Sequence, residues 1–313
     1  MLRVRLLECL AADQARLRQV ASTDLTAAVP SCPDWNVEDL VRHVAVVYLH
    51  KVECMRSGRA PEDWPPDLSG EDPVVLLDRA YRALRGEFDS RDAAAAAPTW
   101  HDPNQTVGFW IRRMAQETVI HRLDAELATS QPVADIPEDL AIDGIDEVLR
   151  LFLAYGTRRW PEDFSEVLPG SAIVVRATAG PATWLIRLGP DGVEVESAPA
   201  EAAPAGPGSR VASGQRAAPA GPGSRVASGQ RAAPVDPESR VAPGQRAAPG
   251  VESTGVGSFG VESDDAGPTA SISAAPDQLL RWLWRRSADD AVSWTGDRAA
   301  VDRLRLALGP ATQ

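Results

Sequence analysis

The residue pattern with the most chemical content lies in the stretch 108–126. Within it, Trp110, Met114, Glu117 and His121 are spaced four, three and four residues apart, so an α-helix places them in one stripe. The first half of this stripe is apolar and is predicted to face a helical core. The second half puts a carboxylate and an imidazole one turn apart. Because an unpaired buried carboxylate is costly, Glu117 is expected either to be exposed or to face a positive partner.

An earlier helix supplies a partner for this pair. His43 follows Leu40 by three residues and precedes Val47 by four, at the edge of that helix's apolar stripe. Two imidazoles and one carboxylate from facing helices form a ligand set for Zn²⁺ or a similar divalent ion, with one coordination position left open. Spacing alone leaves a plainer interpretation open, in which Glu117 and His121 are an ordinary surface pair and His43 is a satisfied boundary histidine.

Four further residues could contribute to such a site, each with a plainer alternative. His50 lies seven residues after the first histidine and is a weaker ligand candidate, for which a surface position is favoured. His101, in the loop before the later helix, could line a pocket mouth. Asp124 could orient the imidazole three residues before it, although a solvated acid is favoured. A nucleophilic Cys32 would need a base or a positive dipole nearby, and an inert thiol is favoured. The pattern assigns no catalytic residue and no cofactor-binding residue.

Helical periodicity dominates residues 1–160. Apolar stripes with good caps and first-turn residues predict four or five helices of about 15–20 residues, which together favour an antiparallel bundle. The predicted helices are Leu2–Val20, one from the cap Asn36 to Met55, one beginning at Asp72 and Pro73, Thr106–Ala128 and Pro137–Tyr155.

After this helical region, the spacing of apolar residues changes from the period of a helix to that of a β-strand. Short β-rich runs and two later helices predict a small α+β domain over residues 168–309. A 15-residue unit interrupts it: residues 203–217 recur unchanged at 218–232 and in diverged form at 233–247. Because these units are rich in Ala, Gly, Pro and Ser, we predict that residues 198–267 form a disordered insertion. The fold expected from sequence is therefore multidomain, a four-helix bundle followed by an α+β domain.

Composition excludes several functional classes. The 313 residues carry a net charge of −12, which argues against a nucleic acid partner. No run of about 18 apolar residues predicts a membrane span, so no membrane partner is expected. Three cysteines without CxxC spacing argue against a disulfide scaffold and favour a cytoplasmic location. All of the 32 basic residues except Lys51 are arginine, which is typical of a GC-rich genome.

Two stretches of the chain resemble the mycothiol-dependent maleylpyruvate isomerase family of actinobacteria. They are VPSCPDWNVEDLVRH at 29–43 and FWIRRMAQETVIHRLDAE at 109–126. The resemblance implies a DinB-like helical bundle in which the histidine of the first stretch and the Glu–His pair of the second are the metal ligands. In this sequence those positions are His43, Glu117 and His121.

The C-terminal stretch 269–297 resembles the second domain of the same family, which is of sterol-carrier-like α+β type. Together these resemblances imply a mycothiol-dependent isomerase or S-transferase. Its cofactors would be Zn²⁺ or another divalent metal, with mycothiol as thiol cosubstrate. A metal-held thiolate would add to a small electrophilic substrate.

An acidic substrate would need a cation, for which five arginines are candidates, although a surface role is favoured for each of them. They are Arg112, Arg113, Arg281, Arg285 and Arg286. A non-catalytic metal-binding DinB-like module with a regulatory or binding role remains the alternative. Nothing in the motifs indicates which substrate is used or how many chains associate.

Overall fold

The computed structural model describes residues 1–198 and 267–312. Its N-terminal part is built from four long helices, whose bounds confirm the sequence predictions to within two residues. They are α1 (Arg3–Ala21), α2 (Val37–Ser57), α3 (Pro73–Ser90) and α4 (Val107–Ala128).

Local side-chain caps explain why three of these helices begin where they do. Asn36 accepts a hydrogen bond from the Asp39 N–H, and the Asp39 carboxylate accepts one in return from the Asn36 N–H, which forms a capping box at the start of α2. Asp72 caps α3 ahead of its first-turn proline, and Thr106 caps α4. The caps at Asn36 and Thr106 fix where α2 and α4 begin, and so fix the positions of the candidate site residues along these two helices.

Helix α4 is enclosed on nearly all sides, because it packs against α1 and α2 within the bundle. Its buried residues include the apolar Trp110 and Met114 and also several charged side chains. A charge that cannot reach water must find a partner inside the protein. The buried charged side chains on α4 are Arg113, Glu117, His121, Arg122, Asp124 and Glu126.

The chain then continues through α5 (Glu138–Glu147), a π-helical segment (Val148–Tyr155) and the short α6 (Gly156–Arg159) into a five-stranded sheet. The strand order is β3-β2-β1-β4-β5, with β1 and β4 parallel and the other pairs antiparallel. The remaining elements are β1 (Ile173–Ala179), β2 (Ala182–Gly189), β3 (Gly192–Ala198), β4 (Ala270–Ala274), α7 (Pro276–Leu283), β5 (Ser293–Gly296) and α8 (Arg298–Ala311). The helical bundle and the α+β fold that follows it are thereby confirmed.

The predicted disordered insertion lies between β3 and β4. All but its two end residues, Ala198 and Gly267, fall in 199–266 and so lie outside the described residues. Both strands that flank this stretch belong to the same sheet. Among the described helices, none is long and apolar enough to cross a membrane.

The α+β part packs on the end of the bundle. Helix α7 contacts α5, and β3 contacts the π-helical segment. Arg150 donates to the Val195 carbonyl, and the Trp184 indole donates to Asp146. These contacts hold the C-terminal end of α7 beside α4.

The chain leaves α7 through a tight turn in which Arg285 has a φ of 61°, a region that favours glycine. Because Arg285 is exposed, we predict that Arg285→Gly raises the free energy of unfolding by about 0.5–1 kcal/mol, measured by urea denaturation. The matched control is Gly58→Ala at the end of α2, where φ is 70° and the added methyl meets no atom within 4 Å. That variant should lower the free energy of unfolding by a similar amount. Two changes of the same sign would contradict this interpretation.

Candidate metal centre

The structure brings His43, Glu117 and His121 together, with one ligand atom of each within 4.8 Å of the others. His43 Nε2 lies 3.3 Å from Glu117 Oε1, and His121 Nε2 lies 3.0 Å from the same oxygen. The two imidazole rings meet edge to face, with centroids 5.1 Å apart. The side chains of Glu117 and His121 are only 7% and 11% exposed. The plainer interpretation of this pair as a surface contact is therefore wrong.

The spacing of these donors fits a tetrahedral metal ion. Zinc bonds of about 2.0–2.2 Å place neighbouring ligand atoms about 3.3 Å apart. The two nitrogen–oxygen separations of 3.0 and 3.3 Å are close to that value. Two imidazoles and one carboxylate are also a donor set that suits Zn²⁺ and leaves a fourth position for another ligand.

Arg113 holds the other oxygen of Glu117. Its guanidinium bridges Glu117 Oε2 and Glu147 Oε2 and stacks on Phe152, 4.9 Å from the ring centroid. Burial raises the pKa of Glu117, but the charges of His121 and Arg113 outweigh it and lower this pKa well below its ordinary value. Glu117 is therefore a carboxylate with Oε1 turned toward the two histidines. The surface role favoured for Arg113 is wrong, since this residue is 1% exposed.

Asp124 lies behind His121 and fixes its orientation. His121 Nδ1 is 3.0 Å from Asp124 Oδ2, which leaves Nε2 as the atom that faces Glu117. Burial lowers the pKa of His121, but Glu117 and Asp124 raise it to about 10. Asp124 is fully buried, so the solvated acid favoured from sequence is wrong.

The α+β part of the chain completes this network. Arg286, which follows α7, donates from Nε and Nη2 to the two oxygens of Asp124 at 2.9 and 3.1 Å. Ser31, in the turn before α2, donates to Asp124 Oδ1 at 2.5 Å. Burial raises the pKa of Asp124, but Arg286 and His121 lower it below its ordinary value. The Arg286 side chain is 7% exposed, so the surface role favoured for it is also wrong.

The other residues considered from sequence take different positions. Cys32 is buried close to this network, and burial together with Asp124 raises the pKa of its thiol. His50 is buried rather than exposed, and burial together with Lys51 lowers its pKa to about 3. His101 stacks on Phe109. Neither of these two histidines belongs to the metal-binding group found among the described residues.

Sequence reasoning did not find Ser31 or Trp35 as parts of the site. Ser31 donates to Asp124, and the Trp35 ring lies 4.9 Å from the His43 ring at a tilt of 51°. The available signal was their position in the 29–43 stretch, directly before the helix that carries His43.

A groove of about 500 Å³ borders the centre on the side of His43. Cavities of about 360 and 560 Å³ lie elsewhere, one between α5 and β2 and the other between α1 and α3. Neither contains a residue of the metal-binding group. The groove beside His43 is lined by Asp34, Trp35, Asp39, Arg42, His43, Val46 and Pro65.

The part of the chain that carries these three side chains is similar to a known protein family. Residues 6–126, which include all three converging side chains, match the model of the mycothiol maleylpyruvate isomerase N-terminal domain. The helical part of the chain is therefore similar to this domain family. The family resemblance predicted from the two sequence stretches is thus confirmed.

Solved structures extend the likeness to the whole fold. A crystal structure of the mycothiol-dependent maleylpyruvate isomerase matches with a TM-score of 0.50 at 14% identity, over 94% of this chain and 93% of that one. A mutant of that enzyme matches with a TM-score of 0.49 at 12% identity. At this identity the likeness concerns the fold. No curated protein matches the sequence significantly.

The buried pair between Asp124 and Arg286 generates a testable prediction. In a double-mutant cycle with Asp124→Asn and Arg286→Gln, we expect a coupling energy of about 2 kcal/mol in the free energy of unfolding, because each single change removes the opposite charge from a buried ionised group. The control cycle uses the exposed pair Arg85 and Asp89, also 2.9 Å apart, where about 0.3–0.5 kcal/mol is expected. Equal coupling in the two cycles would contradict the prediction.

Proposed function

We propose that this protein is a metal-dependent and mycothiol-dependent isomerase or S-transferase of the maleylpyruvate isomerase type. His43, Glu117 and His121 hold Zn²⁺ or another divalent ion. The observation that carries the proposal is the convergence of these three side chains within 4.8 Å, in the part of the chain that matches the family model. The resident metal and the identity of the substrate are the points to be tested.

The residues around the three proposed ligands orient the ligand side chains. Arg113 holds Glu117 Oε2, so Glu117 offers Oε1 as a single charged donor. Asp124 accepts from Nδ1 of His121, so Nε2 is the nitrogen that would release its proton and bind the metal. When bound, a divalent metal lowers the pKa of a coordinating thiol and so supplies a thiolate at neutral pH. Burial of Glu117 and His121 keeps water away from one side of the centre.

The thiol belongs to a cosubstrate rather than to the chain in this proposal. Burial and Asp124 raise the pKa of the Cys32 thiol, which keeps it protonated and weakly nucleophilic. The cosubstrate thiolate adds to one carbon of the cis double bond of a maleyl compound, and the π electrons move onto the adjacent carbonyl as an enolate. The former double bond, now single, rotates, and the enolate electrons re-form the double bond in the trans geometry and expel the thiolate. In an S-transferase the enolate carbon instead takes a proton from solvent, and the thioether is the final product.

We also propose the division of the chain that the sequence indicates. Residues 1–160 form the metal-binding bundle, and 168–309 form the α+β domain with the repeat insertion at 198–267. The sheet supports this division, because β1 pairs with β4 across the insertion and both flanks serve one sheet.

Metal binding provides the first test. Wild-type protein should retain about one zinc per chain after dialysis, measured by mass spectrometry of the metal. His121→Ala and Glu117→Gln should lose it, because two donors leave too few bonds to hold the ion. His101→Ala, the same change outside the group, should retain zinc. Wild-type zinc content in His121→Ala would overturn the metal site.

Turnover provides the second test. In the variant Cys9→Ala/Cys32→Ala/Cys54→Ala, we expect conversion of maleylpyruvate that depends on added mycothiol and matches the wild type within about twofold. Thiol-independent turnover that disappears with Cys32→Ala would place the nucleophile in the chain and contradict the mechanism. Metal binding without turnover with any thiol would instead favour the non-catalytic module.

A further inference from the structure

Two arginines on α4 form buried ion pairs of the same kind, but only one of them lies at the metal centre. Arg113 and Arg122 are each 1% exposed, and each contacts the glutamate four residues later on the helix, Glu117 and Glu126 respectively. Of these two glutamates, only Glu117 belongs to the metal-binding group found in the described part of the chain. The contact of Arg113 therefore bears on how a metal ligand is presented.

Arg113 occupies one of the two oxygens of Glu117. Oε1 lies 3.3 Å from His43 Nε2 and 3.0 Å from His121 Nε2, whereas Oε2 accepts from Nη2 of Arg113. If Oε2 turned to bind the same ion as Oε1, this charge-assisted hydrogen bond would break inside the protein. Water would replace it poorly, because the side chains of Glu117 and Arg113 are only 7% and 1% exposed.

The guanidinium of Arg113 is itself held by three other elements. Its Nη1 donates to Oε2 of Glu147 on α5. The ring of Phe152, in the π-helical segment, lies 4.9 Å from its central carbon, and the ring of Trp284, at the end of α7, lies 5.9 Å from it. A planar group fixed by two carboxylates and two rings has little freedom to follow a rotation of Glu117.

Divalent ions differ in how many ligands they need. Zn²⁺ is stable with four, so two imidazoles, one carboxylate oxygen and one further ligand are enough for it. Mn²⁺ prefers six ligands, most of them oxygen, so a second carboxylate oxygen benefits Mn²⁺ more than Zn²⁺. Holding one oxygen of Glu117 away from the centre therefore favours the four-coordinate ion.

We propose that Arg113 is a positioning residue that limits Glu117 to coordination through Oε1 alone. It thereby makes the centre prefer a four-coordinate ion such as Zn²⁺ over a six-coordinate ion such as Mn²⁺. This inference rests on the proposed function, since it takes His43, Glu117 and His121 as the ligands. It goes further by assigning the choice of metal to a residue outside the ligand set.

The experiment compares the affinities of Zn²⁺ and Mn²⁺ for the wild type and for Arg113→Met. Zinc affinity is measured by competition with a chelator, and manganese affinity by the electron paramagnetic resonance signal of the free ion. Loss of a positive charge strengthens the binding of both divalent ions alike, so the ratio of the two affinities reports the mode of coordination. We expect the zinc-to-manganese ratio to fall about tenfold, a usual effect of removing a residue that orients a metal ligand.

Cobalt provides a direct measure of coordination number. Four-coordinate Co²⁺ absorbs visible light more strongly than five- or six-coordinate Co²⁺. In Arg113→Met, where Glu117 can turn both oxygens to the ion, the absorbance per bound cobalt should fall below that of the wild type. An unchanged affinity ratio or an unchanged cobalt spectrum overturns the inference.

Arg122→Met is the matched control. Arg122 has the same exposure as Arg113, lies on the same helix, and forms ion pairs with Glu126 and with Asp13 of α1. This variant should lose stability, as Arg113→Met does, but keep the wild-type affinity ratio and cobalt spectrum. The same shift in both variants would show a general loosening of α4 and would overturn the specific role of Arg113.

A second pair of variants serves if Arg113→Met does not fold. Arg113→Lys and Arg122→Lys keep the charge but lose the planar fork that contacts two carboxylates at once. The zinc-to-manganese ratio should then fall in Arg113→Lys and not in Arg122→Lys. An unchanged ratio in Arg113→Lys overturns the inference.

The outcomes separate this inference from the proposed function. If the wild type binds zinc and the ratio in Arg113→Met is unchanged, the role of Arg113 is wrong while the metal function stands. If the ratio falls as expected but the wild type shows no turnover with mycothiol, the role of Arg113 is supported and the thiol-dependent function is overturned. A wild type that binds none of the three ions overturns both.

Discussion

The neutralisation of buried charge on α4 is the constraint on which the rest of the structure depends. Glu117 and Asp124 are carried by the most enclosed helix of the bundle, where neither can be left unpaired without a large cost in free energy. Arg113 from the same helix and Arg286 from the α+β part provide two of the partners. His121 lies between the two carboxylates and contacts both. The fold thus holds the His121 imidazole against the Glu117 carboxylate, and both side chains are largely shielded from solvent.

This constraint also explains why the second part of the chain belongs to the site. Arg286 reaches Asp124 only because α7 packs on α5 and ends in a turn that directs the chain toward α4. Trp284, one residue from that turn, contacts the guanidinium of Arg113. The α+β part therefore stabilises both carboxylates of the centre from one side. The groove of about 500 Å³ beside His43 borders the centre through that histidine.

Much of this arrangement could be predicted from local sequence. Caps such as Asn36 and Asp72 act within one turn, so they predict the helix starts correctly. The spacing of Glu117 and His121 predicts a shared face for the same reason. The partners of Asp124 could not be found in this way, because Ser31 and Arg286 are 93 and 162 residues away along the chain. Their contacts depend on how the turn before α2 and the turn after α7 fold back onto α4.

X-ray absorption at the zinc edge of the wild-type protein tests the central claim most directly. Before a thiol is added, we expect only nitrogen and oxygen neighbours at about 2.0–2.2 Å, with the outer-shell scattering of two imidazoles. After mycothiol is added, one sulfur should appear at about 2.3 Å, since the cosubstrate thiolate occupies the fourth position. A sulfur neighbour before any thiol is added would identify a ligand from the chain's own cysteines. Zinc without imidazole scattering would contradict the assignment of His43 and His121.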